Sequence, residues 1–136
     1  IEKFTGTNVM EVPMNDPAVY KLFESTESLG ATEAQIGAPL GTLAIPEFGT
    51  NFAMRMLLDA KPHSFADLLQ ISGLSHGTGV WTGNAQDLIR SGICDLNSVI
   101  GCRDSIMTRL IHWGLPNKDS FDIMEKVRKN KVCLFF

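Results

Sequence analysis

Leu69-Gln-Ile-Ser-Gly-Leu-Ser-His-Gly-Thr-Gly-Val-Trp-Thr-Gly-Asn-Ala-Gln-Asp-Leu88 and Ile100-Gly-Cys-Arg-Asp-Ser-Ile-Met107 hold the two tightest polar clusters of the chain, Ser72 to Thr78 and Gly101 to Asp104. Each cluster falls where one helical pattern gives way to the next, so each carries backbone N–H groups that have no partner inside a helix. A histidine, two serines and several glycines at one junction, and an arginine at the other, are suited to an anion. Short helical patterns separated by glycine loops define the fold class: mainly α, a compact array of short helices with at most one small strand pair.

Working outward, Asn15-Asp16-Pro17 starts a helix, with Asp16 as cap and Pro17 at the first helical position, where a missing N–H costs nothing. Thr32 caps a second short helix between Ala31 and Pro39. Leu40 to Phe48, built around Leu43-Ala44-Ile45, reads as an extended segment or short strand. Thr50 to Lys61 forms a helix around Phe52 and Met56, ended before Pro62. Ser64 caps the next, with Phe65, Leu68 and Leu69 inward and Ser72-Gly73 as its stop. Asn84 to Ser91 repeats the pattern, with Leu88 and Ile89 inside and Gly92 as stop. Asp95 caps a single helical turn. Arg103 to Trp113 turns Ile106, Met107, Leu110 and Ile111 inward, and a last helix from Lys118 to Lys129 buries Phe121, Met124 and Val127. The organisation expected is an extended lead-in over 1–14, one helical domain over 15–131 and an apolar tail over 132–136.

The 136 residues suffice for one domain, and 44% hydrophobic with 20% charged residues is ordinary for a globular protein. No apolar run reaches the ~20 residues that cross a bilayer, so no membrane partner is expected. Three widely spaced cysteines with no Cys-x-x-Cys pair argue for a reducing, cytoplasmic setting and against a disulfide framework or zinc site. A net charge of −3 leaves only local patches to attract nucleic acid. The chain opens Ile1-Glu2-Lys3-Phe4 and closes Val132-Cys133-Leu134-Phe135-Phe136, which reads as a fragment or as a tail that packs on a partner.

In the Ser72–Gly79 cluster, glycines admit close backbone approach, and Ser72, Ser75 and His76 with Gly77 offer donors to phosphate oxygens. The alternative is a connecting loop whose Ser75 and Thr78 merely cap. The spacing is neither a P-loop nor a dinucleotide fingerprint. Arg103 stands in the first turn of a helix, where a cation is locally unfavourable by ~0.3–1 kcal/mol. It belongs there if it shares an anion with the backbone N–H groups, or if it pairs with Asp104 or Asp95. Lys126, Arg128, Lys129 and Lys131 are basic candidates for DNA phosphates, or a solvated face favoured by the helix dipole. His63 and His112 have no second ligand at helical spacing, and no paired carboxylates or nucleophile–base constellation appear. No catalytic residue and no metal ligand is therefore assigned.

Gly41-Thr-Leu-Ala-Ile-Pro-Glu-Phe-Gly-Thr50, Leu69 to Gly77, Trp81-Thr-Gly-Asn-Ala-Gln86 and Val99-Ile-Gly-Cys-Arg-Asp104 resemble the PolC-type alpha subunits of bacterial DNA polymerase III, in the C family of replicative polymerases. The resemblance runs from about Thr5 to Lys131 and corresponds to the fingers. It implies a DNA-directed DNA polymerase whose fingers contact deoxynucleoside triphosphate and primer–template, alongside the other polymerase domains and the replisome. It implies that the Ser72–Gly77 loop lies near the nucleotide and that Arg103 reaches the triphosphate. The Mg²⁺ ions would be held by palm aspartates that this chain lacks, so the fragment alone is expected to be inactive and to need no cofactor. Where the family usually has basic residues near 51 and 54, this chain has Asn51 and Met54, leaving Arg55 as that helix's cation. Two other readings remain open. One is a stand-alone DNA-backbone binder of helix-hairpin-helix character, with Gly73-Leu74-Ser75 as its turn. The other is a protein-binding module using Phe135-Phe136.

Overall fold

The computed structural model describes residues 1–13, 15–77 and 79–129. Among them every regular element is helical. The chain divides into two compact units, Ile1–Met54 and a second beginning at Arg55. Lys131 and the 132–136 tail lie outside the described residues.

The lead-in of the first unit is not extended throughout. It holds one helical turn, α1 (Glu2–Thr5), closed by left-handed Gly6, and a 3₁₀ turn at Val9–Glu11 capped by the Asn8 side chain. α2 (Pro17–Lys21) starts as its sequence demands, with Ala18 N donating to Asp16 Oδ1 at 2.8 Å. α3 (Glu33–Ile36) has a complete capping box, in which Thr32 and Gln35 each accept from the other's backbone N–H, and Gly37 ends it at φ 77°.

The expected strand over 40–48 is instead a run of turns. Ile45 N donates to Thr42 O, Phe48 N to Pro46 O and Gly49 N to Ile45 O, at 2.8, 2.8 and 2.9 Å. Thr42 Oγ1 donates to Phe48 O, and both Leu40 and Thr42 are fully buried. A segment that folds back within four residues leaves no row of free amides for a sheet, and Pro46 supplies none. Gly49 is essential to the reversal, because a methyl there would overlap the Leu43 carbonyl oxygen. Phe48 ends against Phe23, ring edge to ring face, with centroids 5.2 Å apart.

α4 (Asn51–Ala60), started by Thr50 Oγ1 accepting from Ala53 N, carries the boundary between the units. Its buried residues are Ala53, Met54, Met56 and Leu57, while Phe52 is exposed. α5 (Phe65–Ser75) is capped by Ser64, whose Oγ accepts from Asp67 N, and Asp67 Oδ2 accepts from His63 N at 2.9 Å. Leu68, Ile71 and Leu74 form its inward stripe. Phe65 and Leu69, expected inward, are 64% and 65% exposed. The sequence allows either stripe at 3.6-residue spacing, and the large apolar residues nearer the carboxyl end took the core.

α5 also passes straight through Ser72-Gly73, which does not stop it. Gly73 is instead a point of close approach, since a methyl there would overlap the carbonyl oxygen of Gly101, and Gly101 has no room for one either, against Gln70. Gln70 Nε2 donates to Val99 O at 2.9 Å, so the segment 99–101 lies directly on α5.

A turn over Trp81–Ala85, with Gly83 at φ 73°, buries Trp81 and leads into α6 (Gln86–Arg90). Gln86 Nε2 and Arg90 Nη2 both donate to the Asp59 carboxylate of α4, at 2.8 and 3.0 Å. Leu88 and Ile89 are half-buried, and Gly92 ends the element as expected. Asp95 caps a turn rather than a helix. Hydrogen bonds from the Ser98 hydroxyl and backbone N–H hold its carboxyl below its ordinary value.

α7 (Arg103–His112) and α8 (Asn117–Arg128) form a hairpin around Gly114, with Ile106, Leu110 and Met124 as its core and Met107 and Val127 beside it. Ile111 and Phe121, expected inside, are 37% and 51% exposed. Small Ser120 is fully buried one position before Phe121. On α8, Glu125 takes both Nε and Nη2 of Arg128, with Lys129 at 3.7 Å and Arg103 of α7 at 3.5 Å.

Two consequences of this packing can be measured. Gly73→Ala would gain ~1 kcal/mol of helix propensity. It must also push backbone away from α5, and overpacking costs roughly 1–3 kcal/mol. The melting midpoint should therefore fall, and a midpoint that rises would refute the close approach. The hydrogen bond from Arg128, then the charges of Arg128, Lys129 and Arg103, hold the Glu125 carboxyl below its ordinary value. A carboxyl with a lowered folded pKa contributes stability above its unfolded value and loses it as pH falls through the folded one. Acid melting curves should therefore show a component below about pH 4.3 that is missing from Glu125→Gln.

Candidate functional site

Ser72 and Ser75 sit in the last turn of α5, half-buried, and Ser75 Oγ donates to Ser72 O at 2.7 Å. That bond satisfies a helix-end carbonyl, which is the capping role weighed for Ser75. His76 follows as the exposed C-cap of α5. Gly77 has no room for a methyl, because the Val80 side chain fills the space. Thr78 lies outside the described residues.

Arg103 is the first residue of α7, and Cys102, its N-cap, gives no side-chain cap bond. The Cys102 sulfur bonds the Ser105 hydroxyl instead, at 3.1 Å. The Gly73–Gly101 approach brings the end of α5 beside the start of α7, so the two clusters singled out in the sequence are neighbours in space. Cys102 Cβ would stand in ordinary contact with a methyl at Gly73.

The pairing of Arg103 differs from both options offered by its sequence neighbours. Among the described residues its carboxylate partner is Glu125, neither Asp104 nor Asp95, and its side chain stays 57% exposed. Asp95 is already engaged by Ser98. The basic run resolves unevenly. Arg128 and Lys129 lean on Glu125, Lys126 is exposed, and Lys131 lies outside the described residues.

Sequence reasoning missed Glu125. Its spacing to Arg128 and Lys129, three and four residues along one helix, was a readable signal for those two pairs. Its link to Arg103 was not, because 22 positions separate them and only the hairpin brings them together. The helix-hairpin-helix reading loses its turn, since Gly73-Leu74-Ser75 is helical.

Arg55 is exposed on α4, whereas Met54 is 3% exposed, so the side chain at 54 faces the core rather than a ligand. Among the described residues no three His, Cys, Asp or Glu side chains converge as a metal site, and no helix is long and apolar enough to cross a membrane.

Comparison with known proteins agrees in family and extent. The family of bacterial DNA polymerase III alpha subunit finger domains matches residues 1–134. The chain is 64% identical over 135 residues to the PolC-type DNA polymerase III of Lactococcus lactis, covering 97% of this chain and 8% of that protein. It is 56% identical over 131 residues to the PolC-type DNA polymerase III of Bacillus subtilis, covering 96% of this chain and 9% of that one. The chain thus spans less than a tenth of the length of these relatives, and within that span it belongs to the finger-domain family of bacterial DNA polymerase III alpha subunits.

Proposed function

We propose that this chain serves a PolC-type, DNA-directed DNA polymerase as the part of the fingers that meets the incoming deoxynucleoside triphosphate and the primer–template during cytoplasmic DNA replication. The observation that carries the reading is the packing of Gly73 on Gly101. It sets the Ser72–Gly77 segment beside the amino end of α7, where Arg103 starts the helix with its guanidinium exposed. Backbone N–H groups at a helix start and an arginine fork act on the same anion chemistry. Ser72, Ser75, His76 and Gly77 are the candidate groups of that segment, with the Ser75 hydroxyl already donating to Ser72 O. Lys126, Arg128, Lys129 and, by sequence, Lys131 supply charge for strand phosphates.

In such a polymerase the primer 3′-hydroxyl attacks the α-phosphate of the nucleotide as the bond to the β-phosphate breaks and pyrophosphate leaves, and Mg²⁺ held by other domains would supply the metal chemistry. Here Arg103 offsets charge on the phosphates and helps fix their position. His76, exposed at the end of α5, offers a further donor.

The isolated 136-residue chain should not extend a primer in Mg²⁺, and extension by pure chain would overturn this division of labour. In the full-length polymerase, Arg103→Ala should lower kcat/KM about 10²–10³-fold, the range for one preorganised donor. Arg103→Lys should restore part of the loss, because a point charge lacks the two-pronged fork. If steady-state kinetics show Arg103→Ala extending primers as fast as the unsubstituted enzyme, Arg103 has no role at the triphosphate.

A further inference from the structure

Three cations of this chain converge on one carboxylate. Arg128 holds both oxygens of Glu125 at 2.9 to 3.2 Å. Lys129 and Arg103 stand farther off, at 3.7 and 3.5 Å. The geometry sorts the partners: Arg128 is hydrogen-bonded in the fork arrangement, while the other two are held mainly by charge. All three cationic side chains are about half exposed, at 57% for Arg103, 47% for Arg128 and 52% for Lys129, whereas Glu125 is 22% exposed. Among the described residues these cations have no other carboxylate within ion-pair distance. One negative charge therefore faces three positive ones, in a chain whose net charge is −3.

We propose that Glu125 is a displaceable counter-anion: it occupies the place of a phosphate group, and an incoming phosphate takes Arg103, Arg128 and Lys129 from it. A phosphate offers more acceptor oxygens than a carboxylate and can engage the three heads together. The proposal rests on the reading of Arg103 and the α8 cations given above and extends it, because Glu125 joins the two groups. The phosphate comes from a nucleotide triphosphate or from a DNA strand, and the two sources share one chemistry. Glu125 acts through the cations it holds and is a positioning residue, with no contact to reacting atoms. Gln at this position removes the competing charge and keeps an amide oxygen that accepts from Arg128, so the cations stay oriented while the phosphate is spared the competition.

The test is Glu125→Gln in the full-length polymerase. Two quantities are measured: KM and kcat for nucleotide at saturating primer–template, and Kd for primer–template without nucleotide. The control is Asp122→Asn, which removes an equal charge from α8 at an exposed position. Glu125→Gln should lower KM or Kd about two- to fivefold, the scale of one solvent-screened ion pair, with kcat unmoved. A fall in KM identifies the triphosphate as the occupant, a fall in Kd the strand, and a fall in both a shared site. The proposal is overturned if neither constant falls, or if Asp122→Asn lowers them equally, since net charge would then account for the change. A purely structural Glu125 would lower the melting midpoint and kcat without tightening either ligand. If Arg103→Ala is silent while Glu125→Gln tightens DNA, the nucleotide role of Arg103 fails and the displaced anion stands, with the strand as its occupant.

Discussion

The carbonyl oxygen of Gly101 occupies the space that any side chain at position 73 would need. This one exclusion fixes much of what surrounds it. α5 keeps its apolar stripe of Leu68, Ile71 and Leu74 for the core and offers the bare backbone at Gly73 and the Gln70 amide to the segment 99–101. That segment leads directly into α7, so the position of Arg103 is inherited from the Gly73–Gly101 approach and the Gln70 hydrogen bond beside it. Close backbone approach leaves little freedom to slide, as interiors are packed to near-crystalline density.

Carboxylates do the corresponding work at the surface of the second unit. Asp59 collects donors from Gln86 and Arg90 across 27 and 31 positions, and Glu125 collects Arg103, Arg128 and Lys129. Exposed pairs of this kind contribute little to stability, so their value lies in orientation. An acidic chain can thus present a local group of cations whose direction is set by its own acids.

Much of the fold was legible because helix starts are written locally. Asp16-Pro17, Thr32 and Ser64 all cap as their sequence implies, and Gly92 stops its helix as expected. Faces were harder to read. Helices of ten to twelve residues span barely three turns, so Phe52, Phe65, Leu69 and Phe121 fit an inward stripe as well as their neighbours do, and partners decided between them. Leu43-Ala44-Ile45 looked like a strand because β-propensity ignores whether the chain can travel on, and here it reverses within four residues. At the site, the two polar clusters are visible in the residues themselves, whereas their adjacency is implied only by the family resemblance. A glycine that reads as a helix stop is indistinguishable, in one sequence, from a glycine that admits a neighbour's backbone. Glu125 was hidden for a related reason, since one of its three partners comes from another helix.

The α7–α8 hairpin bears on how the chain comes to be folded. Its core joins Ile106 and Leu110 to Met124 across a few turns of helix and the short reversal at Gly114. Closing so short a loop costs little entropy, and contacts this near in sequence form quickly. The Gly73–Gly101 contact spans more chain, 28 positions, and its closure costs correspondingly more entropy. The scaffold that carries Glu125 and its cations is therefore held by nearer contacts than those that align it with α5, and Arg103 stands at the seam between the two.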